Sequence, residues 1–131
     1  MTILFFQGTQ ADGRTYCKDK GFGDLAAVQT TEEFLVVSHF LATRQLSKGT
    51  AIYHTSGKYS GTAFVWLSIN ITVGDPRAPY MPYYPEFPDI YPISEESCLA
   101  LYRPSLSSEV TWRVIKCSDK KYFLCRYRKV Q

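Results

Sequence analysis

Four cysteines, at positions 17, 98, 117 and 125, constrain this 131-residue chain more than any other feature. Their spacing holds no C-x-x-C pair, which sets aside the common zinc and redox motifs. An even number of cysteines in a short, tyrosine-rich chain points to two disulfides, and so to an oxidising compartment. Four cysteines allow three connectivities, and spacing alone does not choose among them. Asn70-Ile71-Thr72 adds an N-glycosylation sequon on the only asparagine of the chain,. Together these features predict an extracellular setting, either secreted or as the outer part of a membrane protein.

The length predicts one domain over residues 1–131, able to bury roughly two thirds of its unfolded surface. With 45% hydrophobic and 21% charged residues the composition is that of a globular protein, not of a disordered or fibrous one,. The net charge is +3, split as +1 over residues 1–65 and +2 over 66–131. So small and mixed a charge argues against a nucleic-acid partner. The apolar runs Phe34–Val37 and Ala63–Leu67 are far too short to span a membrane,. Met1-Thr-Ile-Leu-Phe-Phe6 has no cationic start and no small-residue cleavage site, so the chain reads as a mature domain or an excised fragment,.

Leu4-Phe-Phe6 reads as a short strand. Thr9-Gln-Ala-Asp12 is a capping box opening a helix to about Lys20, which Gly21 ends. Thr30-Thr-Glu-Glu33 opens a second helix to about Arg44, with Phe34, Val37 and Leu41 on one face. Segment 45–61 is punctuated by Lys48-Gly49, Ser56-Gly57 and Ser60-Gly61, and predicts turns with at most a hairpin on Ala51-Ile-Tyr53. Thr62–Asn70 is rich in β-formers and reads as a buried strand. Three more strands are predicted at Cys98–Tyr102, Val110–Ile115 and Lys121–Arg126. Two helices followed by antiparallel strands make an α+β domain.

Six of the seven prolines fall at 76, 79, 82, 85, 88 and 92, nearly every third residue. Proline has no N–H for a ladder and favours polyproline II, so this stretch predicts a long loop ordered by its own rings. Tyr80, Tyr83, Tyr84, Phe87 and Tyr91 lie between the prolines. Tyrosine gives large contact area at low entropic cost, which makes Tyr80, Tyr83, Tyr84 and Tyr91 candidate ligand contacts, with Phe87 read as buried.

In order along the chain, these features resemble the C-type lectin-like domain family. Thr9–Cys17 is similar to its first helix, with a cysteine in the last turn. Gly21-Phe-Gly-Asp-Leu-Ala26 is similar to its G-x-x-L-A step, and Thr30–Glu33 to the start of its second helix. Trp66-Leu-Ser-Ile69 resembles its W-I-G-L strand. Glu96-Ser-Cys98 resembles its E-x-C strand, and Trp112 with Cys117 and Cys125 its closing pattern. The resemblance implies disulfides Cys17–Cys125 and Cys98–Cys117 in a short-form domain. Two lengths depart from the family: the link from the second helix to Trp66 is long, and the stretch from Ile69 to Cys98 is short by a similar amount.

The family's sugar binding runs through a calcium ion, which needs six to eight oxygen ligands. The Glu/Gln-Pro-Asn/Asp motif falls here on Phe87-Pro88-Asp89, so only Asp89 offers a carboxylate. Glu96 matches the next acidic ligand. Where the family has Trp-Asn-Asp, this chain has Trp112-Arg113-Val114. The resemblance therefore implies that the calcium-dependent sugar site is missing and no cofactor is bound. Asp89, Glu96 and Arg113 become candidates for an ion-pair cluster in its place.

The basic residues Lys120, Lys121, Arg126, Arg128 and Lys129 divide between two strand faces and read as a solvated edge. His39 and His54 have no nucleophile or metal-spaced partner and read as structural or surface residues; Trp66 and Trp112 read as core. The expected function is recognition rather than catalysis. The expected partner is an extracellular or cell-surface protein, bound without calcium through loop 76–92, loop 103–109 and Arg113; the alternative is a glycan held at an atypical site.

Overall fold

Two helices and seven strands make up the described part of the chain, residues 2–42, 50–76, 93–105 and 109–126 of the computed structural model. Strand β1 (Thr2–Gly8) leads into helix α1 (Gln10–Asp19), which opens on the predicted capping box. The Asp12 N–H donates to the Thr9 hydroxyl at 3.2 Å, and the Thr9 N–H donates to the Asp12 carboxylate at 3.1 Å. Gly21 then takes a φ of +82°, the left-handed conformation that stops a helix,. Helix α2 (Thr31–Ala42) starts with Glu33 N–H donating to the Thr30 hydroxyl at 3.0 Å. Its Glu33 carboxylate reaches past the box, accepting from Gln29 N–H at 3.0 Å.

Strands β2 (Ala51–Tyr59), β3 (Phe64–Trp66), β4 (Ile71–Thr72), β5 (Ser97–Arg103), β6 (Thr111–Lys116) and β7 (Lys121–Cys125) follow. β2 is central. One of its edges carries β5, with β6 beyond it. The other is shared by β7 at Tyr53–His54 and by β3 at Gly57–Tyr59, with β1 outside β7 and β4 outside β3. The β2–β7 pairing is parallel, so the sheet is mixed where the sequence predicts antiparallel strands alone. The cause is the link from β6 to β7, which crosses over His54 (its Nε2 is 2.7 Å from the Asp119 carbonyl oxygen) to the far edge of β2.

Two predicted elements are corrected. Residues 51–59 form a nine-residue strand, not turns, and Ser56-Gly57 lies inside it. The ladder to β5 slips between His54 and Lys58, a bulge that absorbs the polar residues,. A Cβ on Gly57 would stand 2.8 Å from the Leu99 side chain, so glycine serves close packing here. The strand predicted over Thr62–Asn70 is only the three residues of β3. It ends in a turn where Ile69 and Asn70 N–H both donate to the Trp66 carbonyl, at 3.2 and 2.7 Å.

Alternation along β2 sends neighbouring side chains to opposite faces. On Tyr53's face, Leu99, Leu101, Trp66 and Trp112 form the main core with Val37 and Leu41 of α2. The Phe34 ring stacks on Trp112 at 6.1 Å, and the two tryptophans lie 5.9 Å apart, in the core as predicted. Burial holds the Tyr53 phenol above its ordinary pKa, against the pull of the Arg103 guanidinium. On His54's face, Phe123 packs with Cys17 and Leu25 beneath α1. Cys17 is bonded to Cys125 and Cys98 to Cys117, the two pairings that the resemblance implies.

Gly13 lies mid-helix in α1, where a Cβ would stand 2.5 Å from the Phe123 ring. Gly13→Ala should therefore destabilise the fold. Overpacking costs about 1–3 kcal/mol, while the helix propensity gained is worth about 1 kcal/mol. Urea denaturation reads the sign, and a more stable variant would show that α1 has room to lift.

His54 is fully buried and stacked against Phe123 at 6.4 Å, and Nδ1 has no hydrogen-bond partner among the described residues. Desolvation lowers its pKa below the ordinary value of 6.5. The unfolded chain thus takes up a proton near pH 6.5 that the native ring refuses, so stability is full above that value and falls as pH drops below it. The slope approaches about 1.4 kcal/mol per pH unit at most. Denaturation between pH 7.5 and 5 should show this loss, and His54→Gln, which keeps a donor for the Asp119 carbonyl, should flatten it.

Candidate functional site

β6 carries Trp112, Arg113 and Val114, the residues that the sequence resemblance sets against the family's Trp-Asn-Asp motif. Its alternation places Trp112 and Val114 on the core face and Arg113 with Ile115 on the other,. Val114 packs against the main core and offers no side-chain oxygen. Arg113 is half-buried opposite Ala100, and its guanidinium carbon lies 3.9 Å from the centroid of the Tyr102 ring, a diagonal neighbour on β5,. The cation is thereby held on an aromatic face, an arrangement worth about 0.5–1 kcal/mol where water has access.

Glu96 lies at the other end of this hairpin. Its carbonyl accepts from Cys117 N–H at 2.7 Å, while its side chain is exposed. Three residues of β5 lie between it and Ala100, an offset on the order of 13 Å along the strand,. No ion pair joins Glu96 to Arg113; the structure gives Arg113 to Tyr102 instead. Tyr80, Tyr83, Tyr84, Phe87, Asp89 and Tyr91 lie outside the described residues, as do 106–108 of the neighbouring loop and Arg128 and Lys129. Among the described residues no group of three His, Cys, Asp or Glu side chains is placed to hold a metal ion. No described helix is long and apolar enough to cross a membrane.

Two surface grooves escape the sequence pattern because each joins distant segments. One, of about 390 Å³, runs between the 26–29 segment and α2, with Ala26, Val36 and Val37 as apolar walls and Glu32, Glu33 and Arg126 as charged ones. Beside it Leu35 and Val36 stand well exposed on α2. Four consecutive apolar residues, 34–37, cannot all share one helix face, and that is the signal that marks these two as outward-facing. The other groove, of about 410 Å³, joins the ends of β2 and β3 to the turn before β5. Asn70 lies on its border, exposed and with a φ of +53°.

No protein-family model and no curated protein sequence matches the chain. Solved structures do. Human lithostathine superposes with a TM-score of 0.71 at 16% identity, over 97% of this chain and 89% of that one. A second structure of human lithostathine gives 0.69 at 19% identity, over 95% and 79%. SPL-1, in a complex with GlcNAc, gives 0.67 at 16% identity, over 94% and 84%. The chain has the C-type lectin-like fold. At these identities the likeness concerns backbone architecture, and it brings no site with it.

The Arg113–Tyr102 contact should be measurable as a coupling. Arg113→Ala is expected to cost about 0.5–1 kcal/mol in urea denaturation, and to cost nothing further in a Tyr102→Leu background. Equal costs in both backgrounds would show that the guanidinium draws no stability from the ring.

Proposed function

We propose that this chain is an extracellular recognition domain that binds a protein ligand without calcium and catalyses no reaction. The observation that supports this most is Arg113. A cation laid over Tyr102 stands where the family motif supplies calcium oxygens, and Val114 beside it is turned to the core. With those ligands gone, the remaining recognition surface is the Tyr/Pro-rich segment 76–92 with loop 103–109. Tyr80, Tyr83, Tyr84 and Tyr91 act as aromatic anchors, while Asp89, Glu96 and Arg113 form a charged rim. Two disulfides fit the extracellular setting,.

A second reading, a glycan-binding site that works without the usual calcium geometry, is favoured by one finding: SPL-1, similar in fold, is seen in a complex with GlcNAc. A stacked tyrosine would carry such a site.

Thermal unfolding in millimolar calcium and in EDTA should give coincident transitions. Calcium at a hundredfold its Kd would add about 2.7 kcal/mol, a rise of roughly 5–15 °C, and such a rise overturns the calcium-free reading. A panel of cell-surface ectodomains and a glycan array, both probed with the multimerised chain in calcium and in EDTA, separates the two readings. A protein binder weakened at least tenfold by the triple change Tyr80→Ala, Tyr83→Ala, Tyr84→Ala supports the first; a glycan binder with no protein binder supports the second.

A further inference from the structure

Asn70 is the only non-glycine residue with a positive φ among the described residues. Asparagine tolerates that conformation better than most residues, which explains its backbone role in the turn after β3. Its side chain has no such employment. Among the described residues neither the Asn70 amide nor the Thr72 hydroxyl makes a side-chain hydrogen bond, and both residues are exposed. The two groups that define a sequon are thus free and accessible on one short turn-and-strand segment. Asn70 also borders the groove of about 410 Å³ walled by Tyr59, Val65 and Leu67, with Lys58, Ser60 and Glu95 as its polar groups.

We propose that Asn70 carries an N-linked glycan whose first sugar lies in this groove. The proposal rests on the extracellular part of the function proposed above. In the modification, Asn70 Nδ2 attacks the anomeric carbon of an oligosaccharide carried on a polyprenyl diphosphate. The new N–C bond forms as the anomeric C–O bond breaks, the diphosphate leaves with the bonding pair, and Nδ2 gives up one proton. An N-acetylhexosamine ring has an apolar C–H face and a polar edge. The groove offers the matching pair: an aromatic ring and two aliphatic side chains beside an ammonium, a hydroxyl and a carboxylate,. Because the sugar is tethered at the border of the groove, its effective concentration there is high and weak contacts suffice to seat it.

The test uses the full chain sent through the secretory pathway of eukaryotic cells by an added leader. Enzymatic removal of N-glycans should lower the mass by one oligosaccharide in the unmodified chain and in Thr72→Ser. It should change nothing in Thr72→Val, which keeps a β-branched residue in β4, or in Asn70→Gly, which keeps the positive φ. For the groove, thermal unfolding compares three samples: the intact glycoprotein, the protein trimmed to a single sugar, and the same chain from the bacterial periplasm, bonded but unglycosylated. The first two should melt together, a few degrees above the third. A secreted, disulfide-bonded chain with no mass change overturns the glycan and leaves the recognition reading standing. A mass change with all three samples melting together overturns the seat in the groove. Free thiols in a chain that shows no mass change strike the extracellular reading, and the glycan that rests on it falls with it.

Discussion

The bulge in β2 is the constraint on which the rest of this fold depends. Between His54 and Lys58 the strand slips against β5, and the backbone groups released there are satisfied by four separate parts of the chain. The Gln10 amide, buried at the start of α1, donates to the carbonyls of Thr55 and Gly57 at 2.9 and 3.1 Å. Ser56 N–H donates to Ala26, ahead of α2, at 2.9 Å, and the Ser56 carbonyl accepts from Leu67 N–H at 2.9 Å. Thr55 closes the set through its hydroxyl, donating to the Leu99 carbonyl at 2.8 Å. Left unpaired in a buried strand, each of these groups costs about 1–3 kcal/mol, so the bulge holds both helix starts and β5 in register at once.

That arrangement explains which parts of the fold are legible in the sequence. The two helices are, because a cap is a local device: Thr9 with Asp12, and Thr30 with Glu33, announce themselves within four residues. The strands β5, β6 and β7 are legible as short apolar-rich runs set apart by the turn-like segments 104–109 and 118–120,. β2 is not. Its run His54-Thr-Ser-Gly57 looks like turn chemistry, since those residues favour turns when their hydrogen bonds are made locally. Here the Thr55 and Gly57 carbonyls and the Thr55 hydroxyl find partners 44 to 47 residues away in α1 and β5, and the Ser56 backbone pairs with Ala26 and Leu67. The parallel partnership of β2 with β7 is hidden for the same reason, being settled by where a four-residue link crosses the sheet.

The candidate site divides along a similar line. The identity of Arg113 and Val114 is enough to predict that two calcium oxygens are missing where the resemblance would place them, because ligand chemistry belongs to residue type. What replaces them is not legible, because it depends on register. Glu96 and Arg113 look like partners when both are counted from the family's motifs, yet the β5–β6 ladder puts them four rungs apart and sets Tyr102 within reach of the guanidinium. The grooves are hidden more deeply. Each is assembled from segments tens of residues apart, and only the excess of apolar residues over 34–37 hints at one of them.

A chain can therefore keep this architecture at 16–19% identity to lithostathine and SPL-1 while its site chemistry changes freely. The demands of the architecture are few and geometric. The Cys17–Cys125 bond joins residues 108 apart, and in a chain-entropy account a closure that long restricts the unfolded state by between about 4 and 5 kcal/mol,. Gly13 must stay small under Phe123, and the bulge must keep its polar partners. None of these involves the outward face of β6, where the ladder bonds run through the backbone and are indifferent to the side chain. An asparagine there can hold a metal, and an arginine can lie on a ring, without moving a single rung. The outward face of β6 is thus a place where residue chemistry can change while the fold does not, and a shared fold carries no shared ligand with it.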